Sequence, residues 1–379
     1  MKKILFVATV VKTHIMEFHV PYLRMLKEMG WETAVAARND YENPEDCVIP
    51  YCDVFYNISF ERSPLHISNW KAYKALKQVI EDGSYDLIHC HTPVGAMLAR
   101  LAARESRKKG TKVIYTAHGF HFFKGAPLKN WLLYYPVERF LARYTDVLVT
   151  INKEDYERAR RFHVKKLLYI PGVGIDTGRF VVSEECRIEK RKELEIEKEE
   201  FVILSVGELN ENKNHMLVLQ ALACLKEQGL FDGIRYLLCG RGTSEEQLKA
   251  EAERWGLSES VSFLGYRLDI PEICKASDLF LFMSLREGLP VALMEAMASG
   301  LPVVCSDIRG NRDLVEDGIN GFFAEMNAES VASMICKLRD YETLRKSLGS
   351  NAKQKIKQFE LCNVLEMMKE IYVDETELS

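Results

Sequence analysis

The sequence predicts an α/β protein of two doubly wound domains, each a parallel sheet with helices on both faces. Three observations carry this. Short β-branched runs alternate with amphipathic stretches, the alternation runs through two successive series, and a glycine-rich turn, Pro171-Gly-Val-Gly-Ile-Asp176, separates them. Alternation of strand and helix implies parallel pairing, because each strand must return over a face of the sheet before the next can join it. In such sheets ligands bind beyond the carboxyl ends of the strands. A chain of 379 residues is long enough for two such domains.

The first series places strands at Ile4–Val10, Thr33–Ala37, Val54–Ile58, Leu87–Cys90, Lys112–Ala117, Val147–Ile151 and Leu167–Ile170. Helical patterns lie between most of them, as at Trp70–Ile80, Gly95–Ser106 and Asn130–Arg143. The second series reads Phe201–Val206, Arg235–Cys239, Val261–Leu264, Leu279–Met283 and Pro302–Cys305. The spacing therefore predicts one domain over 1–176 and another over 177–359. Between them, Glu184 to Glu200 is densely charged and reads as a solvated helix or linker. Ala328 to Val373 reads as consecutive helices, and the last of these, about 360–379, is expected to pack back on the first domain.

Hydrophobic content of 47% and charged content of 28% are those of a protein that buries full cores. Ten scattered cysteines form no C-x-x-C pair, which argues against a disulfide framework or a thiolate zinc site and for a reducing compartment. Lys2 and Lys3 precede the apolar run Ile4 to Val11, but Lys12-Thr-His14 breaks it without a small-residue cleavage site, so a first buried strand is expected. No run approaches the roughly 18 apolar residues of a spanning helix. Charge is uneven: residues 1–180 carry 27 Lys and Arg against 19 Asp and Glu, a net of +8, and the remainder carries −12. A basic first half suggests an anionic partner, either a membrane surface or a phosphate-bearing acceptor. No nucleic-acid module is recognisable.

The second series carries the richest segment, Arg286-Glu-Gly-Leu-Pro-Val-Ala-Leu-Met-Glu295, which joins the strand at Asp278–Met283 to a helix from Pro290 to Ala298. Proline is favourable at a first helical position, Gly288 allows close approach to the backbone, and free N–H groups of a first turn attract anions. Leu289 lies inside this turn, Glu287 just before the helix, and Glu295 about two turns later. A diphosphate beside sugar hydroxyls would suit such a turn. The loop Gly207-Glu-Leu-Asn-Glu-Asn-Lys-Asn214 places Glu208 after the first strand and Lys213 at a helix start, where it can act as a point charge on phosphate. Gly240-Arg241-Gly242 and Leu264-Gly-Tyr266 follow the next two strands, giving glycine at successive strand ends.

In the first series, Tyr115-Thr-Ala-His-Gly-Phe-His-Phe-Phe-Lys124 sets His118 at a strand end. Phe120, His121 and Lys124 follow, then Trp131-Leu-Leu-Tyr-Tyr135; this aromatic, basic stretch suits either a lipid interface or core packing. Lys12 and His14 stand just past the first strand, at the same edge. No Asp-x-Asp, Gly-x-Ser-x-Gly or phosphate-loop motif occurs. No metal ligands stand out, so leaving-group charge falls to Lys213 and helix N–H groups.

Taken together, Glu287-x7-Glu295, Gly207-x5-Lys213, Leu264-Gly-Tyr266, Ser306-x3-Gly310, Asp317-Gly-x2-Gly321 and His118 resemble the retaining glycosyltransferases of family 4 over nearly the whole chain. That resemblance implies the GT-B fold, two Rossmann-like domains facing across a cleft. The run His118 to Lys124, with Arg309-Gly-Asn-Arg-Asp313, further resembles bacterial members that extend polyprenyl-diphosphate-linked sugars in exopolysaccharide, capsule or glycan assembly.

The resemblance implies a UDP-sugar donor (UDP-GlcNAc, UDP-GalNAc or a UDP-hexose) and no metal in the chemistry. Glu287 would hold donor-sugar hydroxyls and Glu295 the ribose. Lys213 and the amides near Gly288, Leu289 and Pro290 would stabilise the departing diphosphate. Gly207, Glu208, Gly240, Arg241, Leu264 and Tyr266 would line the donor site. His118 would contact the transferred sugar, and Lys12, His14, Phe120, His121 and Lys124 would face a lipid-linked acceptor. Expected partners are therefore the nucleotide sugar, the lipid-linked glycan, an anionic membrane surface on the cytoplasmic side, and other glycan-assembly enzymes. Two features depart from the family: Glu208 replaces an arginine that most members have, with Arg241 or Arg286 as substitutes, and Val11-Lys-Thr-His14 replaces paired glycines. A transferase for a soluble sugar acceptor and a non-catalytic nucleotide-sugar-binding subunit are the alternatives.

Overall fold

The first strand explains the architecture of the first domain. Every residue of β1 (Lys3–Val10) after Lys3 is buried, as happens only when helices cover both faces of a parallel sheet. The computed structural model describes residues 1–64 and 66–377. It continues with β2 (Glu32–Arg38), β3 (Val54–Asn57), β4 (Leu87–Cys90), β5 (Lys112–Ala117), β6 (Val147–Thr150) and β7 (Lys166–Tyr169). Their order in the sheet is β3-β2-β1-β4-β5-β6-β7, parallel throughout.

The second sheet comprises β8 (Phe201–Val206), β9 (Ile234–Cys239), β10 (Val261–Gly265), β11 (Leu279–Phe282), β12 (Val303–Ser306) and β13 (Phe322–Ala324), in the order β10-β9-β8-β11-β12-β13. It too is parallel throughout. Strand β13 went unread in the sequence, because three residues are too few to show a period. Strand order reverses once in each sheet, between β1 and β4 and between β8 and β11, and each reversal opens a crevice at the strand carboxyl ends.

Two compact units result: one from Met1 to Gly174 with the residues from Cys362 onward, the other from Ile175 to Leu361. The terminal helix Leu361–Glu377 belongs to the first, where Tyr372 bonds His89 at 2.7 Å and Lys2 bonds Thr376 at 2.7 Å. The charged stretch after the boundary is more than a solvated linker. Its helix, Glu184–Glu193, buries Arg191, and Arg187 pairs with Asp278 at 2.7 Å just before β11. The helix starting near Pro290 spans Val291–Ser299, with Pro290 as its extended cap rather than its first residue. Among the described residues no helix is long and apolar enough to cross a membrane.

Candidate functional site

In the second unit, the crevice between β8 and β11 gathers most of the residues singled out above. Lys213 leaves the loop after β8, and Glu287 lies in the loop after β11; Nζ sits 2.7 Å from Oε1. Local geometry sets this meeting. The N–H of Lys213 donates to Asn210 Oδ1 at 3.0 Å, and Asn214 takes a left-handed φ of 54°, turning the chain into the helix His215–Glu227. Lys213 thus stands two residues ahead of that helix, and its ammonium lies 4.9 Å from the centre of the Phe282 ring. The two loops are laced together: Leu285 N–H donates to Asn212 O at 2.8 Å, and the Asn212 amide donates to Arg286 O at 3.0 Å.

The glycines permit backbone contact that no other residue would. A Cβ on Gly240, whose φ is +150°, would lie 1.9 Å from Gly207 O. One on Gly310 would lie 2.4 Å from Gly288 O. The Gly310 loop also brings Arg309, buried, to donate to Glu287 O at 3.0 Å. Arg309 and Asn212 therefore position the Glu287 turn. Neither was assigned this part beforehand, because a bond to a backbone carbonyl leaves no mark in residue type.

The helix at Val291 starts without an acidic first-turn residue or a side-chain cap, so its N–H dipoles are left for an anion. Leu289 is buried beneath this turn, and Glu295 is half-buried on its second helical turn. Glu208, Arg241 and Tyr266 are exposed at the same strand edge, with Leu264 half-buried. Arg241 passes over β10, with Nε 3.7 Å from where a Cβ on Gly265 would be. Burial, helped by Lys213, pushes His215 down to about 4.

In the first unit, the crevice between β1 and β4 holds histidines. His118 follows β5, His91 follows β4, and His14 and His19 come from the turn after β1; His91 Nδ1 and His118 Nε2 are 3.2 Å apart. The His19 and His91 rings lie 3.8 Å apart, and His14 stands edge-on to His118 at 5.0 Å. Beneath them His89 bonds Tyr372 OH and Thr116 Oγ1 at 2.7 and 2.8 Å. Burial holds all five neutral, taking His118 to about 4 and His89 to about 3. Only His14 and His118 were singled out in the sequence. The His89-x-His91 spacing, which sets two imidazoles on one face of a strand, was the signal for more.

Beside the cluster lies a pocket of about 420 Å³, touched by Thr9, Thr13, His14, His121, Tyr134 and Glu138 and otherwise mainly apolar. Thr92, at φ +60°, is held by Thr9 Oγ1 at 2.8 Å on its rim. Glu138, in its lining, is paired with Arg100, itself 1% exposed, at 2.8 Å. His121 stacks on Tyr134 at 4.5 Å.

The aromatic stretch divides, and one expectation is corrected. Phe120 is 3% exposed and Phe122 fully buried, stacked 4.7 Å apart inside the core, so Phe120 does not face an acceptor. Its N–H donates to Asp155 Oδ2, which draws the chain inward. Lys124 is exposed, with its N–H on Glu154, and Lys12 is exposed over the Tyr41 ring. The apolar surface lies instead on the helix Leu128–Leu141, where Leu128, Leu132, Leu133, Val137 and Phe140 are exposed among Lys129, Arg139 and Arg143.

Family models agree with this layout. Residues 3–152 match the model described as glycosyl transferase 4-like, and residues 187–355 match that of glycosyl transferases group 1. The protein EpsD of Bacillus subtilis (strain 168) is 41% identical over 375 residues, 98% of this chain and 96% of its own. An Escherichia coli protein named UDP-Gal:alpha-D-GlcNAc-diphosphoundecaprenol alpha-1,3-galactosyltransferase is 31% identical over 81% of this chain and 80% of its own. Among solved structures, Anabaena HepE with UDP and glucose superposes with a TM-score of 0.81 at 21% identity, covering 99% of this chain and 100% of that one.

Proposed function

The chain belongs to the group 1 glycosyl transferases, with the GT-B fold, and from that premise we propose a retaining transferase that moves a sugar from a UDP-sugar to a polyprenyl-diphosphate-linked glycan. Two relatives are named for transfer onto sugars linked to undecaprenol diphosphate. The observation that carries the finer reading is the Lys213–Glu287 pair, set at the β8/β11 reversal and directly before an uncapped helix start.

In this reading the diphosphate lies across the helix start. Lys213 and the amides near Gly288 and Leu289 meet the charge that develops as the glycosidic bond breaks, without a metal on the phosphates. Preorganised donors of this kind stabilise a departing anion because they need no reorientation during the step. Glu287 then exchanges its bond to Lys213 for hydroxyls of the donor sugar. Glu295 holds the ribose, and His118 meets the transferred sugar through Nδ1, since Nε2 is turned to His91. Gly207, Gly240, Arg241 and Tyr266 border the nucleotide.

The pocket beside His14 and His121 takes the acceptor's sugar, and its apolar side continues toward the exposed face of the helix Leu128–Leu141. That face, with Lys124, Lys129, Arg139 and Arg143 around it, suits an anionic lipid surface: apolar groups enter the acyl boundary and cations stay with the headgroups. The site of action is then peripheral, on the cytoplasmic face of the plasma membrane.

The test uses purified enzyme, a panel of UDP-sugars and a short polyprenyl-diphosphate GlcNAc acceptor, with EDTA present. Product in EDTA, with the small coupling of an equatorial anomeric proton unchanged from α-linked donor to product, is expected. Inversion of the anomer, or dependence on added Mg²⁺ or Mn²⁺, overturns the corresponding part. Binding of UDP without transfer to any lipid-linked acceptor favours a soluble acceptor instead.

A further inference from the structure

Four histidines of the first unit, His14, His19, His91 and His118, each turn one ring nitrogen into a common space in which all four atoms lie within 4.8 Å of one another. Three polypeptide segments supply them: the turn after β1, the end of β4 and the end of β5. We propose that this cluster is a binding site for a first-row transition ion, Zn²⁺ foremost, that ties these segments together.

A second observation, independent of the spacing, points the same way. Neither nitrogen of His19, which is 1% exposed, has a hydrogen-bond partner, and Nε2 of His14 is likewise buried and unpartnered. Buried polar groups are nearly always satisfied by protein, water or an ion, so unpartnered nitrogens on two rings of this cluster call for an occupant. His89 makes the contrast: it is as deeply buried, but both its nitrogens are bonded, to Tyr372 and Thr116.

The donors suit the metal. Imidazole favours Zn²⁺, Cu²⁺ and Ni²⁺ over Mg²⁺ or Ca²⁺, which take oxygen. Nitrogens at 2.0–2.1 Å from a tetrahedral ion stand about 3.4 Å apart. His91 and His118 are already 3.2 Å apart, and the wider pairs close on the ion by about an ångström of ring movement. His14 borders the neighbouring pocket, which gives the ion a path in.

Bound there, the ion pins the turn that carries Thr13 and His14 to the wall of the pocket. It also fixes His118 with Nε2 inward. All four histidines belong to the first unit and Lys213 to the second, so the inference does not depend on the transfer reading and is read without substrate.

The experiment takes the untagged full chain, purified without metal affinity resin, and measures metal content by plasma mass spectrometry. About one Zn²⁺ per chain is expected, together with a fall in thermal midpoint on chelation and its recovery with Zn²⁺. Replacement by Co²⁺ should give the intense visible bands of a tetrahedral nitrogen site. His19→Ala and the milder His14→Asn should each weaken binding by more than the roughly 10–100-fold that loss of an outer partner costs, whereas exposed His163→Ala should bind normally. A metal-free chain that neither gains thermal stability with Zn²⁺, Co²⁺ or Ni²⁺ nor gives cobalt bands overturns the proposal. So does an ion retained by both cluster variants. If both variants fail to fold, the cobalt spectrum of the unaltered chain decides.

Discussion

Lys213 Nζ stands 2.7 Å from Glu287 Oε1, bridging the loops that follow β8 and β11. The lysine side chain is 20% exposed and the glutamate side chain 13%, so the pair lies at a surface crevice and the core does not rest on it. Lys213→Ala should therefore leave the fold intact, with a thermal midpoint near that of the parent. Its kcat should drop by roughly 10²–10³, the usual cost of removing one preorganised donor to developing charge. Steady-state kinetics at saturating donor checks this, and an unaltered kcat would remove Lys213 from the chemistry.

Glu295 lies on the second turn of the helix Val291–Ser299, set back from its uncapped start. A ribose contact there acts on ground state and transition state alike, so its loss should raise the donor's KM and weaken UDP binding with little change in kcat. Calorimetric titration of Glu295→Ala with UDP, paired with kinetics, separates the two. A fall in kcat alone would place Glu295 at the reacting sugar instead.

His215 is 5% exposed, and burial with the nearby Lys213 charge pushes it from an ordinary 6.5 to about 4, partly opposed by a bond to the Glu208 backbone. The sign follows from linkage. Between those two values the unfolded chain binds a proton that the folded chain does not, so stability falls on acidification. The contribution is complete above 6.5 and is lost as pH drops toward 4, about 3 kcal/mol in all. Urea unfolding of the parent and of His215→Asn at several pH values isolates it. The variant should show a shallower loss over that window, and parallel curves would refute the assignment.

How much was legible follows from how local each signal is. Both sheets were readable because a strand buried on both faces writes a continuous apolar run, as Ile4 to Val10 does. The positions of Lys213, Glu287 and Glu295 in the fold were readable because a strand–turn–helix fixes where each falls. The histidine cluster was not, since His14, His19, His91 and His118 come from three strand ends and only the β2-β1-β4-β5 order brings them together. Arg309 stayed hidden because its partner is a backbone carbonyl. Phe120 misled, since an aromatic run reads the same whether it packs inward or faces lipid.

The proposed membrane face moves accordingly to the helix Leu128–Leu141. Its exposed Leu128, Leu132 and Phe140 lie with Lys129, Arg139 and Arg143 on a unit whose sequence is basic. Apolar insertion and headgroup attraction act together in such a helix, and screening weakens the second. The parent should float with liposomes containing anionic lipid at low salt, less at high salt, and not with purely zwitterionic ones. Leu132→Glu combined with Phe140→Glu should abolish flotation. Because both side chains already face solvent, the thermal midpoint and the turnover of a short-chain acceptor should stay close to the parent's, while turnover of a bilayer-embedded acceptor falls. Flotation that survives the double change would assign membrane contact to another surface, and equal losses on both acceptors would trace the defect to the pocket that Leu133 and Val137 border.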